Sequence, residues 1–215
     1  MLLSGPIFKP LDLNQPKSVV VLLHGLGADG NDLIELAPHL AKDLPETIFI
    51  APDAPFACDM APFGRQWFSL QSRDEKDILA GIEDVAPILE SALENWSDHY
   101  KVAAGKIALL GFSQGAMLSL HVGLRRKKPL AGILAYSGAL IAPYLLKNPD
   151  IQKQTPVCLI HGEDDEVVPF VAFNEALNSL QKLDFLVEGY SRAGLGHGID
   201  PAGIAIGTKF LQNLL

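Results

Sequence analysis

The stretch Ile107-Ala108-Leu109-Leu110-Gly111-Phe112-Ser113-Gln114-Gly115-Ala116-Met117-Leu118 decides how the rest of the 215-residue sequence is read. Its first half is a short apolar run of the kind buried in a parallel sheet. Its second half continues as an apolar helix, and the pattern G-x-S-x-G falls on the junction. In that context Ser113 lies on a sharp strand-to-helix turn, a nucleophile elbow. The turn imposes a strained backbone on the serine and crowds its neighbours, which explains glycine at 111 and 115. The helix that follows points its first amides toward whatever the serine attacks. Five residues alone would also fit an ordinary glycine-bearing turn, and the strand before with the helix after argue against that.

Working outward, apolar or β-branched runs predict strands over 18–23, 46–50, 106–111, 130–136, 156–161 and 185–190. Segments of helical period separate them. Leu33, Leu36, Ala37 and Leu40 form one apolar stripe, and Ile78, Ile82, Val85, Leu89, Leu93 and Trp96 form another along 74–100, where Pro87 predicts a kink or break. Further helices are predicted over 114–127, 170–183 and 201–215, the last with Pro201 in its first turn. Residues 2–13 are expected to add antiparallel edge strands. The alternation predicts an α/β protein with a mostly parallel central sheet, helices on both faces, and a single domain over 1–215.

Composition narrows the function classes. With 48% hydrophobic and 20% charged residues the chain buries a sizeable core, and a net charge of −8 argues against a nucleic-acid partner. The one basic run, Arg125 to Lys128, is read as a helix terminus whose cations complement the carbonyl end of the dipole. Cys58 and Cys158 make neither a disulfide framework nor a zinc pattern. No apolar run approaches membrane-spanning length, and Pro6 and Lys9 interrupt any leader-like segment. A soluble cytoplasmic protein without stable membrane insertion is the expectation.

Serine needs a base to take its proton and an acid to orient that base, and on this scaffold the chain order is Ser, acid, His. Of six histidines only His197 follows both Ser113 and a plausible acid, within the glycine-rich Gly194-Leu195-Gly196-His197-Gly198. His24 is read as structural, and His39, His99, His121 and His161 as surface or satisfied-core groups. The acid is expected after the strand at 156–161, where Glu163, Asp164, Asp165 and Glu166 compete and spacing does not choose among them. Backbone amides of Gln114 and of Leu26, in His24-Gly25-Leu26-Gly27, are the expected oxyanion donors, each worth roughly a hundred- to thousandfold in turnover.

These residues resemble the phospholipase/carboxylesterase family of α/β-hydrolases, which includes acyl-protein thioesterases and small bacterial carboxylesterases. Leu23 to Gly27 (LHGLG), Ala51 to Pro55 (APDAP), Trp67-Phe68, Gly111 to Gly115 (GFSQG), His161 to Pro169 (HGEDDEVVP) and Gly196-His197 follow that family's blocks in order over nearly the whole chain. The resemblance implies an α/β-hydrolase fold and a Ser113, Asp165, His197 triad, with Leu26 and Gln114 as oxyanion donors. Ala116 stands where the family commonly has a second glycine, Glu166 where it often has proline, and the 191–198 loop is longer than usual.

The 53–70 connection, with Phe56, Met60, Phe63, Trp67 and Phe68, is too apolar for a plain solvated loop and is read as one wall of an acyl pocket. Any one of these side chains would equally serve to cover the sheet edge. Arg65 and Arg73 are candidates to meet a polar head group, or are simply exposed. The expected reaction is two-step hydrolysis of short- to medium-chain acyl esters through an acyl-enzyme, requiring no cofactor or metal. Protein or lipid deacylation, as by an acyl-protein thioesterase or lysophospholipase, is the alternative substrate class. A catalytically silent binding protein on the same scaffold is the alternative of a different kind. The partner is a small acyl ester or thioester, and exposed apolar groups near 53–70 suit a homodimer interface.

Overall fold

The structure, a computed structural model, describes residues 3–10 and 15–215. In chain order the strands and helices are β1 (Ile7–Phe8), β2 (Ser18–Leu23), α1 (Gly30–Ile34), α2 (Ala37–Leu40), β3 (Thr47–Ile50), β4 (Phe56–Ala57), β5 (Arg65–Gln66), α3 (Glu75–Tyr100), β6 (Ile107–Phe112), α4 (Gln114–Gly123), β7 (Gly132–Tyr136), β8 (Val157–Gly162), α5 (Val171–Lys182), β9 (Val187–Arg192) and α6 (Pro201–Gln212). Seven strands form one sheet in the order β1-β3-β2-β6-β7-β8-β9. All neighbours are parallel except the antiparallel pair β1 and β3, so the edge strand predicted near the N-terminus is present at 7–8. Residues 2 and 11–13 of that prediction lie outside the described residues.

Strands covered on both faces read as continuous apolar runs, and β2, β3, β7 and β8 are buried at every position. On one face Val19, Val21, Leu109 and Ile133 meet α3, α4 and α5 through Leu89, Leu118 and Leu180. On the other Val20, Leu22, Leu134 and Ile160 meet α1, α2 and α6 through Leu33, Leu40 and Leu211. This sandwich places the C-terminal ends of β2, β6, β8 and β9 along one rim, where loops from separate parts of the chain converge.

Three expectations are corrected. The helix over 75–100 runs unbroken through Pro87, which faces solvent, so the Glu83 carbonyl deprived of its N–H partner lies on the exposed side. The helix after the elbow ends at Gly123 rather than 127, and glycine at its last position packs where a Cβ would meet Ile133 of β7 at 2.6 Å. Arg125 then folds back so that its Nη1 donates to the His121 carbonyl at 3.1 Å, as a helix-terminal cation should. Arg126, by contrast, is buried and tied to Glu90 and Glu94 of α3. The last strand starts at Val187, not 185, because Asp184 takes a left-handed turn (φ 59°) and Phe185 packs back under α5. The same strand consequently runs on to Arg192, at the mouth of the site.

His121 on α4 is buried and its Nδ1 has no hydrogen-bond partner among the described residues. Burial, helped by the nearby Arg125 charge, lowers its pKa from 6.5 to about 4. The unfolded chain therefore takes up this proton first as pH falls, and the residue's contribution is intact above pH 6.5 and lost progressively toward pH 4. His121→Leu should flatten the acid dependence of stability relative to the parent protein by about 2–3 kcal/mol between pH 7 and 4.5. Urea unfolding at the two pH values measures it.

Candidate active site

The elbow begins with a backbone that few residues tolerate: Ser113 has φ 54° and ψ −117°. Three hydrogen bonds hold it there. Its N–H donates to the Tyr136 carbonyl at 2.9 Å, and its own carbonyl accepts from Ala116 and Met117 at 3.0 and 3.1 Å. A side chain at Gly115 would overlap the Leu23 carbonyl of β2, and one at Gly111 would press on Ala116. The methyl of Ala116, where a second glycine is more usual, lies against Gly138, which has no Cβ to contest the space.

His197 reaches Ser113 from the loop after β9. Its Nε2 lies 3.0 Å from Ser113 Oγ and its Nδ1 lies 2.8 Å from Asp165 Oδ2. The Phe112 ring packs beside the imidazole at a centroid distance of 4.8 Å. The loop itself is tied down at both ends. Arg192 holds Asp200 with Nε and Nη2 at 3.1 and 2.9 Å, and Asp200 also caps α6 through the Gly203 N–H at 2.7 Å. Between them Gly194 makes the left-handed turn (φ 74°), and the Asp164 N–H donates to Leu195 O at 3.0 Å, docking the acid loop onto the histidine loop.

Of the four acidic residues after β8, Asp165 alone is buried; Glu163, Asp164 and Glu166 are exposed, and Glu163 accepts from Ser191 Oγ at 2.6 Å. Asp165 Oδ1 accepts from the Val167 and Val168 amides, both at 2.9 Å, which orients the carboxylate and leaves Oδ2 for His197. Burial alone would raise its pKa. The bond from His197, the two amides and the His197 charge outweigh that and hold the carboxyl below its ordinary value.

A second ring on Asp165 was not foreseen. His161, read as a strand-end satisfied-core group, donates its Nε2–H to Val168 O at 2.8 Å, and the same nitrogen lies 3.3 Å from Asp165 Oδ2. Burial lowers its pKa against the pull of Val168 O and Asp165. Only its position four residues before Asp165 signalled the contact. The Arg192–Asp200 clasp was also missed, although the two residues bracket the glycine-rich loop in sequence.

The backbone N–H groups of Leu26 and Gln114 donate to no acceptor among the described residues. Their neighbours are occupied: Gly27 N–H donates to Arg65 O, and Arg65 N–H to Ala28 O, each at 2.9 Å, pinning the β4-β5 hairpin to the 25–28 loop. The hairpin carries Phe56, Met60 and Phe63, which are exposed, Phe63 at 74%. Trp67 and Phe68 depart from the expected pocket wall. They are 0% and 2% exposed and belong to the core over α3, so they support the wall without forming its surface. Arg65 is likewise spent on structure, its Nε donating to Ala54 O at 2.8 Å. Among the described residues no three His, Cys, Asp or Glu side chains gather as metal ligands, and no helix is long and apolar enough to cross a membrane.

The sheet order, the elbow and the loops that meet above it define a serine ester hydrolase of the α/β-hydrolase fold. A solved esterase, PE8, superimposes with a TM-score of 0.94 at 39% identity, covering 100% of both chains. Acyl-protein thioesterase 1 homolog 1 of Dictyostelium discoideum is 30% identical over 213 residues, 95% of this chain and 93% of that protein. Esterase YpfH of Escherichia coli is 29% identical over 203 residues, 91% and 82% of the two chains. Residues 12–215 match the phospholipase/carboxylesterase family model, and the chain belongs to that family.

Proposed function

We propose that the protein is a carboxylesterase acting on short- to medium-chain acyl esters, with Ser113 as nucleophile, His197 as base and Asp165 as its orienting acid. The observation that carries this is the placement of His197 between Ser113 Oγ at 3.0 Å and Asp165 Oδ2 at 2.8 Å. With Asp165 ionised, the His197 proton resides on Nδ1 and the Nε2 lone pair faces the serine hydroxyl. Ser113 Oγ adds to the acyl carbon as His197 Nε2 takes its proton, and the carbonyl oxygen becomes an anion within reach of the Leu26 and Gln114 amides. Collapse expels the alcohol or thiol, which receives the proton from His197. Water, deprotonated by the same nitrogen, then attacks the acyl-enzyme and releases the acid.

Phe56, Met60 and Phe63 stand on the hairpin bonded to the oxyanion loop and are the groups we assign to the acyl chain. They are exposed, so they offer an open shelf that covers one side of an alkyl chain. Full burial is worth about 0.8 kcal/mol per methylene, and a one-sided shelf yields roughly half of that over the few carbons it spans. Both cysteines are free thiols, which supports a cytoplasmic setting. The acyl-protein thioesterase relative at 30% identity supports a second reading, in which the leaving group is a thiol.

A chain-length series of p-nitrophenyl esters, run beside an acyl thioester and a lysophospholipid, tests the proposal. The expected result is kcat/KM rising by about twofold per carbon from acetate and levelling off at medium length. Turnover confined to the long-chain lysophospholipid, with no p-nitrophenyl ester cleaved, would overturn it. A thioester preferred over every oxygen ester of equal chain length would select the second reading.

A further inference from the structure

The two amides facing the developing oxyanion come from loops far apart in sequence, and a buried hydrogen-bonded strut joins them. Each amide shares a planar trans peptide with a carbonyl, so fixing the carbonyl fixes the direction of the N–H on its opposite side. For Gln114 that carbonyl is Ser113 O, held by the Ala116 and Met117 amides. For Leu26 it is Gly25 O, which accepts from His24 Nδ1 at 2.8 Å. The His24 ring is set in turn, because its Nε2 accepts the Ala54 N–H at 3.0 Å and its proton must therefore sit on Nδ1.

Trp67 spans the gap between these two assemblies. Its indole Nε1–H donates to His24 O at 2.9 Å and its ring lies 5.4 Å from the His24 ring. Its backbone N–H donates to Gln114 Oε1 at 2.8 Å, and Gln114 Nε2–H donates to Phe68 O at 2.7 Å. Trp67, Gln114 and His24 are 0%, 0% and 1% exposed, so water does not compete for these bonds and their geometry is held tightly. An oxyanion donor acts only when aimed at the position the anion will occupy, and a rigid link between the two donors keeps their spacing from drifting.

We infer that Trp67 is a positioning residue for the oxyanion hole, setting the distance between the Leu26 and Gln114 amides through His24 on one side and the Gln114 side chain on the other. It touches no substrate and acts on the transition state at one remove. The inference rests on the Ser113 reading of the site. It also accounts for an aromatic residue that belongs to the 53–70 connection yet faces entirely inward.

Trp67→Phe keeps an aromatic ring in the core and removes the indole donor to His24 O together with part of the buried ring volume. Gln114→Met is the second variant, removing both side-chain bonds while the backbone amide remains. Three quantities are measured on each: kcat and KM for a p-nitrophenyl ester, the affinity for an alkyl boronic acid, and the thermal midpoint. Ser113 Oγ adds to the empty orbital on boron as its O–H bond breaks and the proton passes to His197 Nε2, no bond to boron is lost, and the resulting tetrahedral anion faces the same two amides. The expected result for Trp67→Phe is a fall of about tenfold in kcat with KM changed less than twofold, matched by a similar loss of boronate affinity. Trp96→Phe, which removes the chain's other tryptophan from α3, should change neither.

Wild-type kcat and boronate affinity in both Trp67→Phe and Gln114→Met would overturn the inference, as would a lowered thermal midpoint with both constants intact. Ser113→Ala separates this from failure of the underlying reading. If Ser113→Ala is inactive while the two strut variants are normal, only the strut is wrong. If Ser113→Ala retains turnover, the site assignment itself is wrong.

Discussion

Ser113→Ala lowers kcat by about 10⁴-fold or more while the folded structure is retained. The size of the effect follows from what the hydroxyl does. Without Oγ no acyl-enzyme forms, and His197 with the oxyanion amides can only assist direct attack by water, leaving a small residual rate. Retention of fold follows from the elbow's construction. The strained backbone at 113 is held by the Tyr136, Ala116 and Met117 hydrogen bonds, none of which uses the side chain, and alanine loses only a buried hydroxyl bonded to His197. Steady-state kinetics beside a thermal melt of the purified variant checks both halves. A thermal midpoint within a few degrees of the parent is expected.

Asp165→Asn is expected to lower kcat by about 10⁴-fold through a tautomer error. Asp165 Oδ1 receives two backbone N–H donors, from Val167 and Val168, so the asparagine carbonyl oxygen will occupy that position. The amide nitrogen is then forced into the Oδ2 position, facing His197 Nδ1 and His161 Nε2. Two donors cannot share an N–H contact, so His197 must turn its Nδ1 lone pair to the amide and carry its proton on Nε2. That proton points at Ser113 Oγ, where an acceptor is needed. The measurement is kcat against pH. A partial return of activity at high pH, where hydroxide ionises the serine without a base, is the signature that separates a wrong tautomer from a misfolded loop.

How much of this was legible in the sequence differs by residue for physical reasons. The elbow was readable because steric need leaves a mark: Gly115 abuts the Leu23 carbonyl, and no other residue fits there. Fully buried strands such as β2 and β8 were readable because burial on both faces leaves an unbroken apolar run. The choice of Asp165 among four acids was not, since it depends on which carboxylate turns inward, and only Asp165 takes up the Val167 and Val168 amides. The resemblance to the family supplied that choice in advance of the geometry.

The aromatic residues of the 53–70 connection mark the other limit. Composition said that the segment was too apolar for a solvated loop, but direction is set by partners far away. Trp67 turns inward because Gln114 and His24 meet both ends of it, whereas Phe63 in the same connection stands exposed. The run beginning at Phe185 misled for a similar reason, since the left-handed turn at Asp184 sends Phe185 under α5 before the strand starts. Ion pairs such as Arg192–Asp200 show in the sequence only as opposite charges bracketing a loop, and the pairing appears when the chain between them closes.

The central claim is that Ser113 is the activated nucleophile, and a fluorophosphonate probe tests it most directly, because phosphorus accepts Oγ with loss of fluoride only where a base has activated the hydroxyl. Mass spectrometry of the labelled protein should show one adduct, located by peptide mapping on Ser113 and missing from Ser113→Ala. An unlabelled parent protein, or an adduct on any other residue, would contradict it.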